Sequence, residues 1–334
     1  MSYFARFAAQ LAVALVVLEL LSRVVLGHKP ALRYDKRYDR LSAPNQNVVE
    51  AQEGFSRGRT NELGNLDSPM PSPLPAHAIL ALGDSLTEAR QVGHADRWPE
   101  RLAALTQREV YNAGQRGWSP ANALGYLQAE KQRFAPEYVV LQVSGNDIDD
   151  MVSEKRPHVV EGVEGLSLKV PKRGKSGMAA KINKAKELVS RSALGGNLIT
   201  AGLTVLGAGN DGSGNALGCS PPTAFNTKAA NWLLAQIRAE HAKTVVIYLP
   251  LLNYYEGCSD KCTGAAELFR NAAATAGLPF VDATAALCSS FAQTHQPLHG
   301  FWNSLPGVGH LNSEGNDVVA HVLADYFAGQ KAAP

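Results

Sequence analysis

Three largely apolar runs stand out along the chain, at residues 78–82, 138–143 and 244–249. Their length and near-continuous apolarity predict strands buried on both faces, as in a parallel sheet covered by helices. Between and after them, apolar residues recur at helical spacing. Asp96-Arg97-Trp98-Pro99 opens one helix, with Leu102 and Leu105 inward, and Ser119-Pro120 opens another, with Leu124 and Leu127 as its buried face. Further helices are expected at 227–241, with Trp232, Leu233 and Ile237 inward, at 265–274, and at 314–327, where Val318, Val322 and Leu323 give an apolar face. Short strands are expected at 109–112 and 279–282. Strand and helix in alternation predict a three-layer α/β/α domain with a parallel sheet, running from 76 to about residue 330.

The alternation breaks between 151 and 222. Residues 169–186 hold seven Lys or Arg and no acid, and a Gly-rich apolar stretch follows. Alternation at 166–170 and a helical run at 179–190 predict a structured insertion. Its basic face is open to two readings, attraction of an anionic polymer or membrane surface and a solvated helix with no partner. Residues 28–75, rich in Asn, Arg and Pro and ending in SPMPSPLP, read as a linker and wrapping arm held out of regular structure by proline.

Residues 1–27 form a mostly apolar start, with LAVALVVL at 11–18 behind Arg6, interrupted by Gln10, Glu19, Ser22 and Arg23. A membrane helix needs about 20 apolar residues and a signal-peptide core about 7 to 15, so this segment predicts export, as an anchor or a removed signal. That places the protein in the periplasm or at the extracytoplasmic face of the membrane. The four cysteines, Cys219, Cys258, Cys262 and Cys288, are expected to pair outside the cytoplasm, with Cys258–Cys262 across a small loop as one arrangement; sequence does not assign the pairs. A net charge of +2 gives no case for nucleic-acid binding, and no Cys/His spacing suggests a metal.

Candidate chemistry sits at the predicted strand ends. Gly83-Asp84-Ser85 follows the first strand, placing a serine where backbone N–H groups gather at a helix start. Gly117 lies in a flexible Gly-Gln-Arg-Gly turn, Asn146 follows the strand at 138–143, and His310 lies in the loop before the last helix. A hydrolytic serine needs a base and donors for the developing oxyanion, and these residue types supply both. Each also has a bland reading: a capping serine, a turn glycine, a self-capping asparagine, one loop histidine among nine.

Taken in order, Gly83-Asp84-Ser85, Gly117 within NAGQRG, Gly145-Asn146-Asp147 and His310 within GHLNSEG resemble the blocks of the SGNH, or GDSL-type, esterase and lipase superfamily. NELG at 61–64 is similar to the approach segment of its exported bacterial members. The resemblance covers residues 79 to 327 without the insertion. It implies a flavodoxin-like fold, Ser85 as nucleophile, His310 as base, and the Ser85 N–H, Gly117 N–H and Asn146 side chain as oxyanion donors. Asp84 and Asp147 would support their turns. No metal or organic cofactor is implied. The family usually has an aspartate three residues before the histidine; here Gly307 stands there. An imidazole needs a group to fix its tautomer, and a backbone carbonyl near Gly307 or Asp282 are the candidates.

The reading is an exported serine esterase removing O-acyl groups, chiefly O-acetyl, from an envelope or extracellular carbohydrate, with an ester-bearing lipid as another substrate class. A carbohydrate O-acetyltransferase using the same acyl-enzyme is the close rival. A non-catalytic polysaccharide-binding or assembly protein is the other.

Overall fold

The computed structural model describes residues 2–171, 189, 192–198 and 219–331. The first element, α1 (Tyr3–Val25), is almost wholly exposed, and its length and mean hydropathy of 1.9 suffice to cross a membrane. The arm that follows is not a plain linker. It folds into two antiparallel hairpins, β1 (Leu32–Asp35) with β2 (Asp39–Ser42), and β3 (Asn47–Glu50) with β4 (Ser56–Arg59). Tyr38, Leu41, Met70 and Leu74 carry it into the main hydrophobic core, so burial rather than local propensity orders it.

The domain beyond alternates as expected: β5 (Ile79–Leu82), α2 (Ser85–Glu88), α3 (Trp98–Thr106), β6 (Val110–Asn112), α4 (Pro120–Phe134), β7 (Tyr138–Ser144) and α5 (Asp147–Asp150). The insertion begins with a hairpin, β8 (His158–Gly162) and β9 (Gly165–Lys169), which accounts for the alternation seen at 166–170. The helix expected at 179–190 and most of the basic stretch lie outside the described residues. After the insertion come α6 (Ala224–Glu240), β10 (Thr244–Leu249), the short pair β11 (Leu252–Asn253) and β12 (Ser259–Asp260), α7 (Ala265–Ala276), β13 (Phe280–Asp282), α8 (Thr284–Thr294) and α9 (Ser313–Lys331).

The five-stranded sheet has the order β13-β10-β7-β5-β6, all pairs parallel. In order of appearance along the sheet that is 2-1-3-4-5 read from β6, the flavodoxin-like arrangement. The period of two divides each central strand between two cores. Leu80, Leu82, Val139, Leu141, Val143 and Val246 face α4, α6 and α7. Ile79, Ala81, Val140, Val245 and Ile247 face α3, α8 and α9. Both faces are therefore covered, which is why these strands read as continuous apolar runs.

The disulfides are Cys219–Cys262 and Cys258–Cys288, with Cα–Cα separations of 5.4 and 5.6 Å. Cys258–Cys262, one arrangement the sequence left open, is not the one formed. The first bridge ties the end of the insertion to the loop after β12, and the second ties that region to α8, a helix the sequence pattern did not announce.

Candidate active site

In this sheet β6 lies on one side of β5 and β7 on the other. Such a reversal opens a crevice at the carboxyl ends of the strands, where open α/β sheets receive ligands. Ser85 follows β5, Gly117 lies in the loop after β6, and Asn146 follows β7. All three expected strand-end residues therefore stand around one crevice.

Ser85 begins α2, whose cap is Asp84: its Oδ1 accepts the Leu86 N–H at 2.8 Å. Asp147 braces the next turn in the same way, its Oδ2 accepting the Ser144 N–H at 2.8 Å. Burial pushes the Asp84 carboxyl up to about 6, although the Leu86 N–H opposes it. Burial and the charges of Asp84 and Asp150 raise Asp147 well above the usual carboxylate range. Gly117 sits at φ +70°, a conformation that favours glycine. Among the described residues, the N–H groups of Ser85 and Gly117 have no hydrogen-bond acceptor within the protein, so both remain open to a ligand oxygen. Asn146 is fixed at both ends of its amide: Oδ1 accepts from Ser144 Oγ at 2.7 Å, and Nδ2 donates to Asp150 Oδ2 at 3.3 Å.

His310 brings its Nε2 to 2.9 Å from Ser85 Oγ. Neither group expected to orient its ring does so. The Gly307 N–H donates to the His299 carbonyl, and Gly307 lies at φ +82° in the turn. Asp282 is engaged by Arg270 at 2.6 Å and by the Thr284 N–H, at the start of α8, at 2.9 Å. The acid is Glu53, from the turn between β3 and β4. Its Oε2 lies 2.6 Å from His310 Nδ1, and its Oε1 accepts the His310 backbone N–H at 2.6 Å. Burial alone would raise the Glu53 carboxyl. The hydrogen bonds and charge of His310, with a contribution from Arg90, outweigh it and hold the group below its ordinary value. An ionised carboxylate on Nδ1 leaves Nε2 as the ring's acceptor, facing the serine hydroxyl.

The arm turn is clamped from several sides. Arg90 Nε donates to Glu50 Oε2 at 2.8 Å, and the Ser56 hydroxyl donates to the Arg90 carbonyl. Asn303 spans the gap to the last loop, accepting the Gly54 N–H at 2.8 Å and donating to the carbonyls of Ala51 and Gly54 at 2.9 Å each. Gly309 makes room for the acid: a Cβ there would lie 2.1 Å from Glu53 Oε1, and its φ is +96°. Glu53 was missed from the sequence because no spacing links it to a histidine 257 positions away. The usable signal was negative, the glycine at 307 where an aspartate was expected.

Away from the serine, Asp67, His94 and Glu100 bring ligand-type atoms within 4.8 Å of one another. Arg97, with Nη1 4.0 Å from Glu100 Oε1, supplies positive charge inside that group, which weighs against a cation there.

The GDSL-like lipase/acylhydrolase family model matches residues 81–191, from β5 through the first half of the insertion, and includes the Ser85, Gly117 and Asn146 blocks. Over that stretch the chain resembles the SGNH, or GDSL-type, hydrolases. The match supports a serine ester hydrolase. No relative matches among curated proteins. Solved structures similar to this chain include the psychrotrophic esterase EstA from Pseudoalteromonas sp., 13% identical over 77% of this chain and 100% of that one, TM-score 0.42. The M. smegmatis aryl esterase is 15% identical over 76% and 99%, TM-score 0.36. A two-domain esterase active on acetylated mannans is 13% identical over 77% and 50%, TM-score 0.42.

Proposed function

We propose that this protein is an exported serine esterase that removes O-acyl groups, O-acetyl first among them, from an envelope or extracellular carbohydrate. The observation that carries the reading is the continuous chain of contacts Ser85 Oγ to His310 Nε2 and His310 Nδ1 to Glu53. His310 Nε2 takes the Ser85 proton as Oγ attacks the ester carbonyl, and Glu53 stabilises the imidazolium that forms. The N–H groups of Ser85 and Gly117 and the Asn146 amide receive the negative charge of the tetrahedral intermediate. Its collapse expels the sugar hydroxyl, protonated by His310, and leaves an acyl-Ser85. Water, deprotonated by the same nitrogen, releases the acid and restores the enzyme. These steps need no cofactor.

Export is supported by α1 and by the cysteines, all of which are disulfide-bonded, a state that persists in oxidising compartments. A carbohydrate substrate is supported by exposed aromatic rings in the two segments that carry Glu53 and His310. Phe55, two residues beyond Glu53, is 46% exposed, and Trp302, next to Asn303 in the chain, is 85% exposed. Aromatic rings left in water suit the apolar faces of sugar rings.

The test is release of acetate from O-acetylated polysaccharides and from simple acetyl esters, with a fluorophosphonate label located by peptide mass spectrometry. Labelling at Ser85 and acetate release from polymer are expected. A label elsewhere refutes the nucleophile, and hydrolysis confined to long-chain lipid esters refutes the carbohydrate reading.

A further inference from the structure

The two oxyanion donors contributed from outside the nucleophile's own turn, Gly117 and Asn146, follow different strands, β6 and β7. One guanidinium touches both loops. Arg156, at the entrance to the insertion, donates through Nη1 to the Gly117 carbonyl at 3.2 Å and to Asp150 Oδ2 at 2.5 Å. The same Asp150 Oδ2 receives Asn146 Nδ2 at 3.3 Å.

We infer that Arg156 is a positioning residue for the oxyanion hole, setting Gly117 directly and Asn146 through Asp150. The inference rests on the esterase reading above and extends it to a residue of the insertion. Holding the Gly117 carbonyl fixes ψ at a residue that lacks a side chain to restrain it and whose φ is +70°. Gly117's own N–H, on the other side of the same Cα, is thereby aimed. At Asn146 the carboxylate engages one of the two Nδ2 hydrogens, while Ser144 Oγ holds Oδ1 at 2.7 Å. The amide plane is then fixed, and the second Nδ2 hydrogen is the donor left for the oxyanion. Donors aimed before substrate arrives cost no reorganisation at the transition state, which is where an oxyanion hole gains its effect.

Arg156 is suited to this by chemistry as well as place. A planar guanidinium with fixed donor directions can serve a carbonyl and a carboxylate together, and it stays charged. Asp150 lies in a buried setting that raises its carboxyl above the ordinary value, against the opposing pull of Arg156 and of the Asn146 hydrogen bond. Arg156 therefore also helps keep the carboxylate that Asn146 needs.

The role predicts a particular kinetic signature. Because the bound ester carries no oxyanion and the charge develops only on the way to the tetrahedral intermediate, disturbing its donors should lower kcat and leave KM nearly unchanged. With p-nitrophenyl acetate, Arg156→Ala should lower kcat on the order of 10²-fold, the size of losing one donor, and Arg156→Lys should recover part of it. The decisive measurement is a double-mutant cycle. Asn146→Ala should cost on the order of 10²-fold or more in the intact enzyme but less than about tenfold in the Arg156→Ala background, since the amide is already misaimed there. If Arg156→Ala does not fold, Asp150→Asn breaks the same link and should give the same kcat loss and the same coupling. Losses that simply multiply, or an Arg156→Ala effect confined to KM, overturn the inference while leaving the esterase reading intact. A folded wild type inert to all esters overturns both.

Discussion

Glu53 holds His310 twice, one carboxylate oxygen on the ring nitrogen and the other on the backbone N–H, both at 2.6 Å. Two-point contact fixes the ring's position as well as its tautomer, because backbone and side chain of the histidine are set by one group. Glu53→Gln should therefore lower kcat on the order of 10³- to 10⁴-fold, the cost of losing the acid behind a catalytic histidine, and Glu53→Asp, a methylene shorter, should recover only part. Steady-state kinetics on p-nitrophenyl acetate, with circular dichroism to verify folding, checks this. Activity within about tenfold of wild type would remove Glu53 from the proposed mechanism.

Ser85→Ala should abolish fluorophosphonate labelling, since the attacking oxygen is gone, and His310→Ala should slow acylation severely. Asn146→Ala should cost about 3 kcal/mol of transition-state stabilisation if its amide is a full oxyanion donor. Pre-steady-state acylation bursts separate these effects from changes in later steps.

Gly309→Ala tests the acid from the other side. The added methyl would stand 2.1 Å from Glu53 Oε1 at a residue with φ +96°, so either the loop or the carboxylate must move. We expect a stability loss of at least about 1 kcal/mol from the backbone conformation alone and a fall in kcat beyond what that loss explains. Combined with Glu53→Gln the kcat effect should largely vanish, which the double variant measures.

Glu100 gives a pH dependence unconnected with catalysis. Both its carboxylate oxygens are buried without a hydrogen-bond partner, and burial pushes its pKa from the ordinary 4.5 up to about 7. The folded protein thus holds a proton that the unfolded chain releases over that interval, so the contribution of Glu100 to stability falls as pH rises from about 4.5 through about 7 and levels off above. The full penalty is on the order of 3 kcal/mol. Glu100→Gln should flatten this part of the profile, as followed by denaturant midpoints between pH 5 and pH 8, taken as about the two ends of the transition. A variant with the wild-type slope would assign the dependence to other groups.

How much of this was legible in the sequence follows from what each feature depends on. Strands β5, β7 and β10 declare themselves because burial on both faces demands unbroken apolarity, a local property. Ser85, Gly117 and Asn146 were legible because a parallel sheet sends the ends of its strands to one edge, and His310, in the loop before the last helix, through the resemblance of the ordered blocks. Glu53 obeys no such rule. It reaches the site on a hairpin whose strands, such as Ser56–Arg59, carry too little apolar pattern to be read, and it is placed by Asn303 and Arg90 from elsewhere. The cysteine pairs stayed open for the same reason: Cys262 meets Cys219 across 43 residues rather than Cys258 nearby. Helix α8 buries fully only Leu287, so its sequence shows hardly any stripe.

Placing the acid in the arm has a consequence for how the molecule is made. The chain emerges from synthesis with Glu53 first, then Ser85, and His310 almost last, so the nucleophile exists long before its base and cannot be armed by anything nearby. The first ordered hairpins and the last loop must close on each other before a proton can move. On the proposed mechanism, a chain that stops before His310 or is trimmed through Glu53 keeps the nucleophile without its relay and is expected to hydrolyse esters far more slowly. Full hydrolysis would then await the meeting of the two ends of the fold.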